Sequence, residues 1–204
     1  MLHRKTVATT TLDILKQIID IPELSAFNLV GGTSLALQIG HRMSYDLDFF
    51  GHRPFETQEI LDLLKPVGQV RMMSQSKNIL ILNVEGVKVD FVNYRYPVIN
   101  PILHIEGLRL LGLPDIAAMK LAAIAGRGRK RDFIDVYFLL KQYTLSQLFD
   151  FYNAKYEDGS IFMVSRSLTY FDDADKDEEA ILFKKAPWQK VKETILKEVQ
   201  KLYE

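Results

Sequence analysis

Apolar residues recur with two different spacings along this chain of 204 residues, and the change between them divides the chain in two. Up to about residue 113, strand-length apolar segments are mixed with helical ones, and after Pro114 helical spacing predominates. Predicted strands cover residues 27–30, 46–50, 70–73, 78–84, 87–93, 99–105 and 108–110. Predicted helices cover residues 11–21, 33–39, 56–64, 115–125, 132–142, 145–155, 160–168 and 187–203.

This order of elements predicts an α+β protein. A mixed α/β half over residues 1–113 is followed by a helical half over residues 114–204. A tight hairpin turn is predicted at Glu85-Gly86, between two of the strands. The acidic stretch over residues 172–179 is expected to be exposed.

Charge, cysteine content and hydropathy narrow the class of protein only a little. The 26 basic and 26 acidic residues cancel, so a basic surface for nucleic acid would have to be local. The absence of cysteine removes disulfides, thiolate zinc sites and cysteine nucleophiles, and fits a reducing compartment. Because the sequence shows neither a signal peptide nor the ~20 apolar residues of a membrane span, we expect a cytoplasmic protein without a membrane partner.

The segment Gly31-Gly32-Thr33-Ser34 follows a predicted strand and opens a predicted helix. Backbone N–H groups at a helix start bind phosphate oxygens, glycine lets a ligand approach closely, and Thr33 or Ser34 offers a hydroxyl donor. The segment is neither a Walker A loop nor the Gly-x-Gly-x-x-Gly of a dinucleotide site. Taken alone, it favours an ordinary strand–turn–helix connection with a capping threonine.

Two aspartates change that interpretation. Asp46 and Asp48 are two residues apart on a predicted strand, so their side chains point the same way. Neighbouring carboxylates repel and burial makes their charge costly, and a divalent cation resolves both problems. Since Mg²⁺ binds a few carboxylates together with substrate phosphates, the pattern favours a site for Mg²⁺ and a nucleoside triphosphate. The alternative is an exposed aspartate pair on an edge strand.

Asp90 is a third candidate acid. It lies in an apolar predicted strand, where aspartate is rare. A phosphoryl-transfer site with two metals needs an acid that activates the attacking hydroxyl or bridges a metal. The alternative is a surface pair with Lys88, which shares its face.

The helical half carries a fourth cluster. Asp132 and Asp135 share one face of a predicted helix. Lys120, on the preceding helix, is placed to neutralise triphosphate charge. Taken alone, this cluster favours a solvated lysine and a capped helix with an Arg131–Asp135 pair.

Together these segments resemble the AbiEii/AbiGii family of the polymerase-beta-like nucleotidyltransferase superfamily. Its members are commonly the toxins of type IV, abortive-infection toxin–antitoxin pairs. The resemblance runs from Leu29 to Leu140 and is carried by four segments: Gly31-Gly32-Thr33-Ser34, Gly40-His41-Arg42-Met43-Ser44-Tyr45-Asp46-Leu47-Asp48-Phe49-Phe50, Lys88-Val89-Asp90, and Lys120 with Arg131-Asp132-Phe133-Ile134-Asp135.

The resemblance implies a fold, a reaction and partners. The fold is an α/β nucleotidyltransferase lobe with a small mixed sheet, and a helical lobe completes the active-site cleft. The reaction moves a nucleotidyl group from an NTP to an acceptor, which for some members is the 3′ end of tRNA. A cognate antitoxin and Mg²⁺ or Mn²⁺ are the further partners.

The same resemblance implies roles for individual residues. The phosphate-binding residues are Gly31, Gly32, Thr33 and Ser34, the metal ligands are Asp46, Asp48 and Asp90, and the catalytic residues are Asp90, Lys120, Asp132 and Asp135. Lys120 contacts the triphosphate, and Asp90 is the third acid or base.

Two other hypotheses stay open. A non-catalytic nucleotide- or partner-binding protein would use the same fold, and a small-molecule nucleotidyltransferase would keep the chemistry but change the acceptor. The basic run over residues 127–131 favours a polyanionic acceptor, although such runs are usually solvated loops. An RNase of the Arg-x₄₋₆-His kind is disfavoured because no histidine follows His104.

Overall fold

The computed structural model describes residues 1–202 and 204. Within these residues the chain forms seven strands and eight α-helices. The strands are β1 (Asn28–Val30), β2 (Leu47–Gly51), β3 (Val70–Gln75), β4 (Ile79–Val84), β5 (Val87–Asn93), β6 (Leu103–Ile105) and β7 (Leu108–Leu110). The helices are α1 (Thr9–Ile19), α2 (Gly31–Ile39), α3 (Thr57–Leu64), α4 (Leu113–Gly126), α5 (Lys130–Leu139), α6 (Leu145–Lys155), α7 (Ile161–Ser167) and α8 (Trp188–Gln200).

The chain divides into two compact units. The sheet unit consists of Met1–Tyr96 and Pro101–Leu111, and it contains every strand and α1 to α3. The helical unit consists of Pro97–Asn100 and Gly112–Glu204, and it contains α4 to α8. The short segment Pro97–Asn100 therefore interrupts the sheet unit and belongs to the helical one.

One mixed sheet organises the sheet unit. Its strand order is β3-β4-β5-β2-β1-β7-β6. At its centre β2 runs parallel to β5 and antiparallel to β1, and β1 runs parallel to β7. The remaining pairs are antiparallel. The two central strands that carry the predicted acids are thus direct neighbours.

Alternation along β2 and β5 gives the sheet one apolar and one polar face. Phe49 and Phe91 point into the core, where their rings stack with centroids 5.3 Å apart, and Phe27 packs edge-on against Phe91. The residues between them on both strands are only half-buried. Asp48 and Asp90 consequently lie on the face opposite the core.

The hairpin predicted at Glu85-Gly86 is confirmed. Its two residues have φ values of +50° and +88°, the left-handed pair that a two-residue turn between antiparallel strands requires. Glu106 and Gly107 form the equivalent turn between β6 and β7, with φ values of +54° and +82°.

Several predicted elements have different bounds in the structure. The strand predicted over residues 99–105 covers only Leu103–Ile105, because Pro101 lacks an N–H and the N–H groups of Ile99 and Asn100 bond to the Asp115 carboxylate. The connection between the helices predicted over residues 115–125 and 132–142 is shorter than expected, since α4 includes Gly126 and α5 begins at Lys130. The last helix ends at Gln200, and residue 203, where its end was predicted, lies outside the described residues.

A buried ion pair joins α4 to α6 in the helical unit. Lys155 Nζ lies 2.7 Å from Asp115 Oδ1, and both side chains are fully buried. The ammonium also donates to the Pro97 carbonyl oxygen at 2.6 Å. Asp115 thereby binds both the lysine and the backbone of the segment Pro97–Asn100.

No helix formed by the described residues has the length and apolar character needed to cross a membrane.

Candidate active site

The glycine turn, which consists of Gly31 and Gly32, joins the end of β1 to the first turn of α2. Gly31 has a φ of +66°, a left-handed value that favours glycine. The first N–H groups of a helix have no partner within the helix, so the start of α2 offers backbone donors to an anion. The turn therefore has the character of a phosphate-binding helix start.

The Thr33 side chain links this helix start to the segment that carries Asp46 and Asp48. Its hydroxyl donates to the backbone carbonyl of Asp46 at 2.5 Å and lies 2.8 Å from Ser44 Oγ. The side chain of Thr33 is buried. The Thr33 hydroxyl therefore positions the helix start against the Asp46 segment. The predicted contact of Thr33 with phosphate would have to be made by its backbone N–H.

Ser34 is fully buried. Its hydroxyl accepts a hydrogen bond from Gln38 Nε2 at 3.0 Å and contacts the Leu111 carbonyl oxygen at 3.4 Å. The hydroxyl joins α2 to the chain that follows β7. The predicted contact of this hydroxyl with phosphate has no support in this geometry.

The structure brings two of the predicted acids together. Asp48 of β2 and Asp90 of β5 are register partners on neighbouring parallel strands, and such strands lie about 4.8 Å apart. Both side chains are half-buried on the face away from the core. Asp46 lies one residue before β2 and is also half-buried. The predicted alternative of an aspartate pair on an edge strand is wrong, because β2 is central.

Two charged groups approach the glycine turn so closely that a side chain at either glycine would displace one of them. A Cβ atom added to Gly31 would lie 2.3 Å from Asp48 Oδ2. A Cβ atom added to Gly32 would lie 2.6 Å from Arg42 Nη2. Glycine at both positions thus leaves room for a carboxylate and a guanidinium beside the backbone at the start of α2.

Arg42 is a candidate functional residue to which the sequence analysis assigned no role. Its side chain is buried, and Nη1 donates to the Met43 carbonyl oxygen at 2.9 Å. A guanidinium held beside a helix start adds a planar, permanently charged donor for phosphate. Arg42 stands within the motif from Gly40 to Phe50, but its place beside Gly32 follows from the folding of the chain between α2 and β2.

The two carboxylate oxygens of Asp90 differ. Oδ2 contacts Lys88 Nζ at 2.5 Å, as the predicted alternative of a Lys88 pair requires. Oδ1 is buried and has no hydrogen-bond partner in the described part of the chain. An unsatisfied buried acceptor costs roughly 1–3 kcal/mol, and a cation or a hydroxyl donor of a ligand would remove that cost. The pair with Lys88 therefore accounts for only one of the two carboxylate oxygens of Asp90.

This donor set suits a hard divalent cation that binds together with its substrate. Across residues 1–202 and 204, no three His, Asp or Glu side chains are grouped closely enough to form a preassembled metal centre. Mg²⁺ commonly uses one or two carboxylates and completes its coordination with water and substrate phosphates. Asp48 beside the glycine turn and the unsatisfied Oδ1 of Asp90 fit that mode of binding.

In the helical unit, Lys120 of α4 binds two carboxylates of α5. Its Nζ lies 2.9 Å from Asp132 Oδ1 and 2.7 Å from Asp135 Oδ2, and all three side chains are buried. The alternative of a solvated lysine is therefore wrong. Burial acts to raise the pKa of Asp132, but the charges of Lys120 and Arg127 outweigh it and the pKa is lowered. The catalytic roles of Lys120, Asp132 and Asp135 stay predictions.

The basic connection between α4 and α5 is paired with the acidic stretch. Arg129 Nη1 lies 2.5 Å from Asp177 Oδ1, and Lys130 Nζ lies 2.8 Å from Glu179 Oε1. Asp177 also accepts a hydrogen bond from the backbone N–H of Lys130, at the start of α5. Because these basic groups already have acidic partners, the connection gives little support for a polyanionic acceptor.

A family model and a curated relative match nearly the whole chain. The model described as the nucleotidyl transferase AbiEii toxin of a type IV toxin–antitoxin system matches residues 13–202. An uncharacterized protein of Aquifex aeolicus (strain VF5) is 35% identical over 198 residues, which cover 94% of this chain and 95% of the relative.

Two solved structures share the fold. A protein of Helicobacter pylori that is described as a nucleotidyltransferase aligns with a TM-score of 0.59 at 21% identity, over 98% of this chain and 93% of that one. MenT4, a nucleotidyltransferase toxin of Mycobacterium tuberculosis H37Rv, aligns with a TM-score of 0.59 at 13% identity, over 95% and 86% of the two chains. At these identities the likeness concerns the fold alone, and it confirms the predicted fold class.

Proposed function

This chain belongs to the nucleotidyl transferase AbiEii toxin family, and from that premise we propose that it transfers a nucleotidyl group from an NTP to the 3′ end of an RNA, with tRNA as the expected acceptor. The observation that carries the proposal is the contact between the Asp48 carboxylate and the glycine turn. The contact supports the proposal because a carboxylate of the kind that binds Mg²⁺ lies beside a helix start of the kind that binds phosphate.

The polyphosphate of the NTP binds at the glycine turn. Backbone N–H groups at the start of α2, which have no partner within the helix, donate to phosphate oxygens, and the guanidinium of Arg42 adds charge beside Gly32. The absence of side chains on Gly31 and Gly32 lets the phosphates approach the backbone. Thr33 holds this helix start against Asp46, so the phosphate donors and the acidic residues keep a fixed distance.

Asp46, Asp48 and Asp90 would hold Mg²⁺ or Mn²⁺, which when bound supplies positive charge to the reacting phosphate. Asp90 Oδ1 accepts the proton of the acceptor hydroxyl, for which it has an unsatisfied acceptor site. The hydroxyl oxygen forms a bond to the α-phosphorus of the NTP, and the bond from that phosphorus to pyrophosphate breaks. Lys88 contacts the other oxygen of Asp90 and orients the carboxylate.

The family also implies a partner. A type IV toxin–antitoxin system contains an antitoxin. Translation is the target that we propose for the toxin. Modification of the 3′ end of tRNA is proposed as the route to that target.

A transfer assay with purified full-length protein tests the proposal. Each of the four α-³²P-labelled NTPs is incubated with Mg²⁺ and total tRNA, and in parallel with tRNA whose 3′-terminal ribose has been oxidised with periodate. Label is expected on intact tRNA, but neither on oxidised tRNA nor in the presence of EDTA. Label on small molecules alone, or on no acceptor, would contradict the proposal.

The glycine turn makes a prediction of its own. Alanine at Gly31 places a Cβ atom on a left-handed backbone, which costs about 1–2 kcal/mol, and pushes Asp48 away from the turn. We expect Gly31→Ala to lower the free energy of unfolding by about 1–2 kcal/mol and the transfer rate by about tenfold or more. Urea denaturation and the transfer assay measure the two effects.

Gly107→Ala is the matched control for backbone strain. Gly107 has a φ of +82°, and no atom lies within 4 Å of its added Cβ. This variant should lose similar stability and keep the wild-type transfer rate. An equal loss of transfer in both variants would show that strain, rather than displacement of Asp48, is responsible.

A further inference from the structure

Three half-buried aromatic side chains continue the polar face of the sheet beyond the acids. Phe50 lies two residues after Asp48 in β2, on the same face. Its ring centroid lies 4.8 Å from that of Tyr94, and the Tyr94 centroid lies 5.2 Å from that of Tyr96. We call Phe50, Tyr94 and Tyr96 the aromatic row.

The aromatic row is fixed to the two strands that carry the acids. The N–H of Tyr94 donates to the Gly51 carbonyl oxygen at 2.8 Å, so the pairing between β5 and β2 continues past the end of β5. Two residues of strand span about 7 Å, so the backbone positions of Phe50 and Asp48 are separated by about the length of one nucleotide. Phe50 and Tyr94 are therefore held by the pairing of the two strands that carry Asp48 and Asp90.

The strand order separates the aromatic row from the glycine turn. The glycine turn follows β1, on one side of β2, whereas Asp90 and Tyr94 belong to β5 and its continuation, on the other side. Along β2, the glycine turn lies at the Asp48 end and the row at the Phe50 end. A phosphate chain at the turn and a base on the row would thus approach Asp48 and Asp90 from opposite directions.

The chemistry of the row suits a nucleobase. Aromatic side chains on which bases stack bind single-stranded RNA without a strong demand on sequence. The guanidinium carbon of the exposed Arg95 lies 5.2 Å from the Tyr96 ring centroid, which adds a cation beside the stack. The rings of the core, Phe49 and Phe91, are by contrast fully buried.

We propose that the aromatic row stacks the 3′-terminal nucleobase of the RNA acceptor and thereby presents its terminal hydroxyl to Asp90. This inference rests on the proposed nucleotidyl transfer to RNA. It assigns Phe50, Tyr94 and Tyr96 to acceptor binding, and it separates them from the NTP site at the glycine turn.

A binding experiment without NTP tests this assignment. The probes are a fluorescein-labelled tRNA acceptor-stem hairpin ending in CCA and the same hairpin with an abasic 3′-terminal residue, followed by fluorescence anisotropy. Wild type should bind the abasic hairpin about 5- to 100-fold more weakly than the intact one. Tyr94→Leu should bind both hairpins with the same reduced affinity, and Tyr94→Phe should restore the preference for the intact hairpin.

Tyr170→Leu is the matched control, since it removes an exposed tyrosine ring of the helical unit and should bind like wild type.

If wild type binds both hairpins equally well, the inference is overturned and the proposed function stands. If wild type binds neither hairpin, the RNA acceptor itself is rejected, and the inference with it. The transfer assay gives one more outcome. If Tyr94→Leu raises only the KM for the NTP in that assay, the row binds the base of the NTP and the acceptor assignment is overturned. Should Tyr94→Leu not fold, the comparison of the two hairpins on wild type still decides.

Discussion

Asp48→Asn is expected to reduce the rate of nucleotidyl transfer about 10²- to 10³-fold at saturating NTP, because the change removes charge that holds the cation on the substrate phosphates. The amide keeps the size of the carboxylate, so the glycine turn should remain in contact with it. In EDTA, the same variant should bind NTP more tightly than wild type, since a negative charge beside the phosphates has been removed. Initial rates and equilibrium NTP binding measure these two opposite effects.

Asp13→Asn is the control for this experiment. Asp13 is an exposed carboxylate of α1 in the same unit, and its removal should change neither the rate nor NTP binding. Urea denaturation of all three proteins checks that the fold is retained. A rate for Asp48→Asn within threefold of wild type would remove Asp48 from the proposed metal site.

The second large effect is expected on stability. Lys155→Met should lower the free energy of unfolding by about 3–5 kcal/mol, because it leaves the carboxylate of Asp115 buried without its cation. Met has nearly the volume of the lysine stem, so packing changes little and the loss reports on the charge. The midpoint and slope of urea denaturation give the difference in stability.

Lys16→Met is the control, since Lys16 is half exposed and lies 3.9 Å from Asp13. Its stability should stay within about 0.5 kcal/mol of wild type. The double variant Lys155→Met/Asp115→Leu should recover only part of the loss, because the N–H groups of Ile99 and Asn100 would then lose their acceptor. A loss below about 1 kcal/mol in Lys155→Met would contradict the prediction.

The sequence predicted local structure well because local structure depends on spacing and turn chemistry. Glu85-Gly86 illustrates this: two residues that adopt left-handed backbone, between two apolar segments, are sufficient to indicate a hairpin. The strand predicted over residues 99–105 illustrates the failure. Asp115, on a helix 15 residues further along, accepts hydrogen bonds from the N–H groups that a strand would have used. The spacing of apolar residues carries no information about these bonds.

The acids of the candidate site were identified from residue type, but their arrangement depends on pairing between distant strands. Asp48 and Asp90 meet because β2 and β5 are parallel neighbours in register, and nothing in either segment specifies that register. Arg42 was missed for a related reason. Its burial beside Gly32 depends on how the chain folds between α2 and β2, whereas its sequence neighbours indicate an ordinary polar loop.

The segment Pro97–Asn100 has a consequence for any attempt to dissect the protein. A recombinant fragment beginning at residue 112 would contain Asp115 and Lys155 but would lack the three backbone groups to which they bond. The charged pair would then be enclosed in an incompletely satisfied site, and we expect such a fragment to be poorly soluble. Because four residues of the helical unit are encoded between two strands of the sheet, no single cut in the gene yields both units complete.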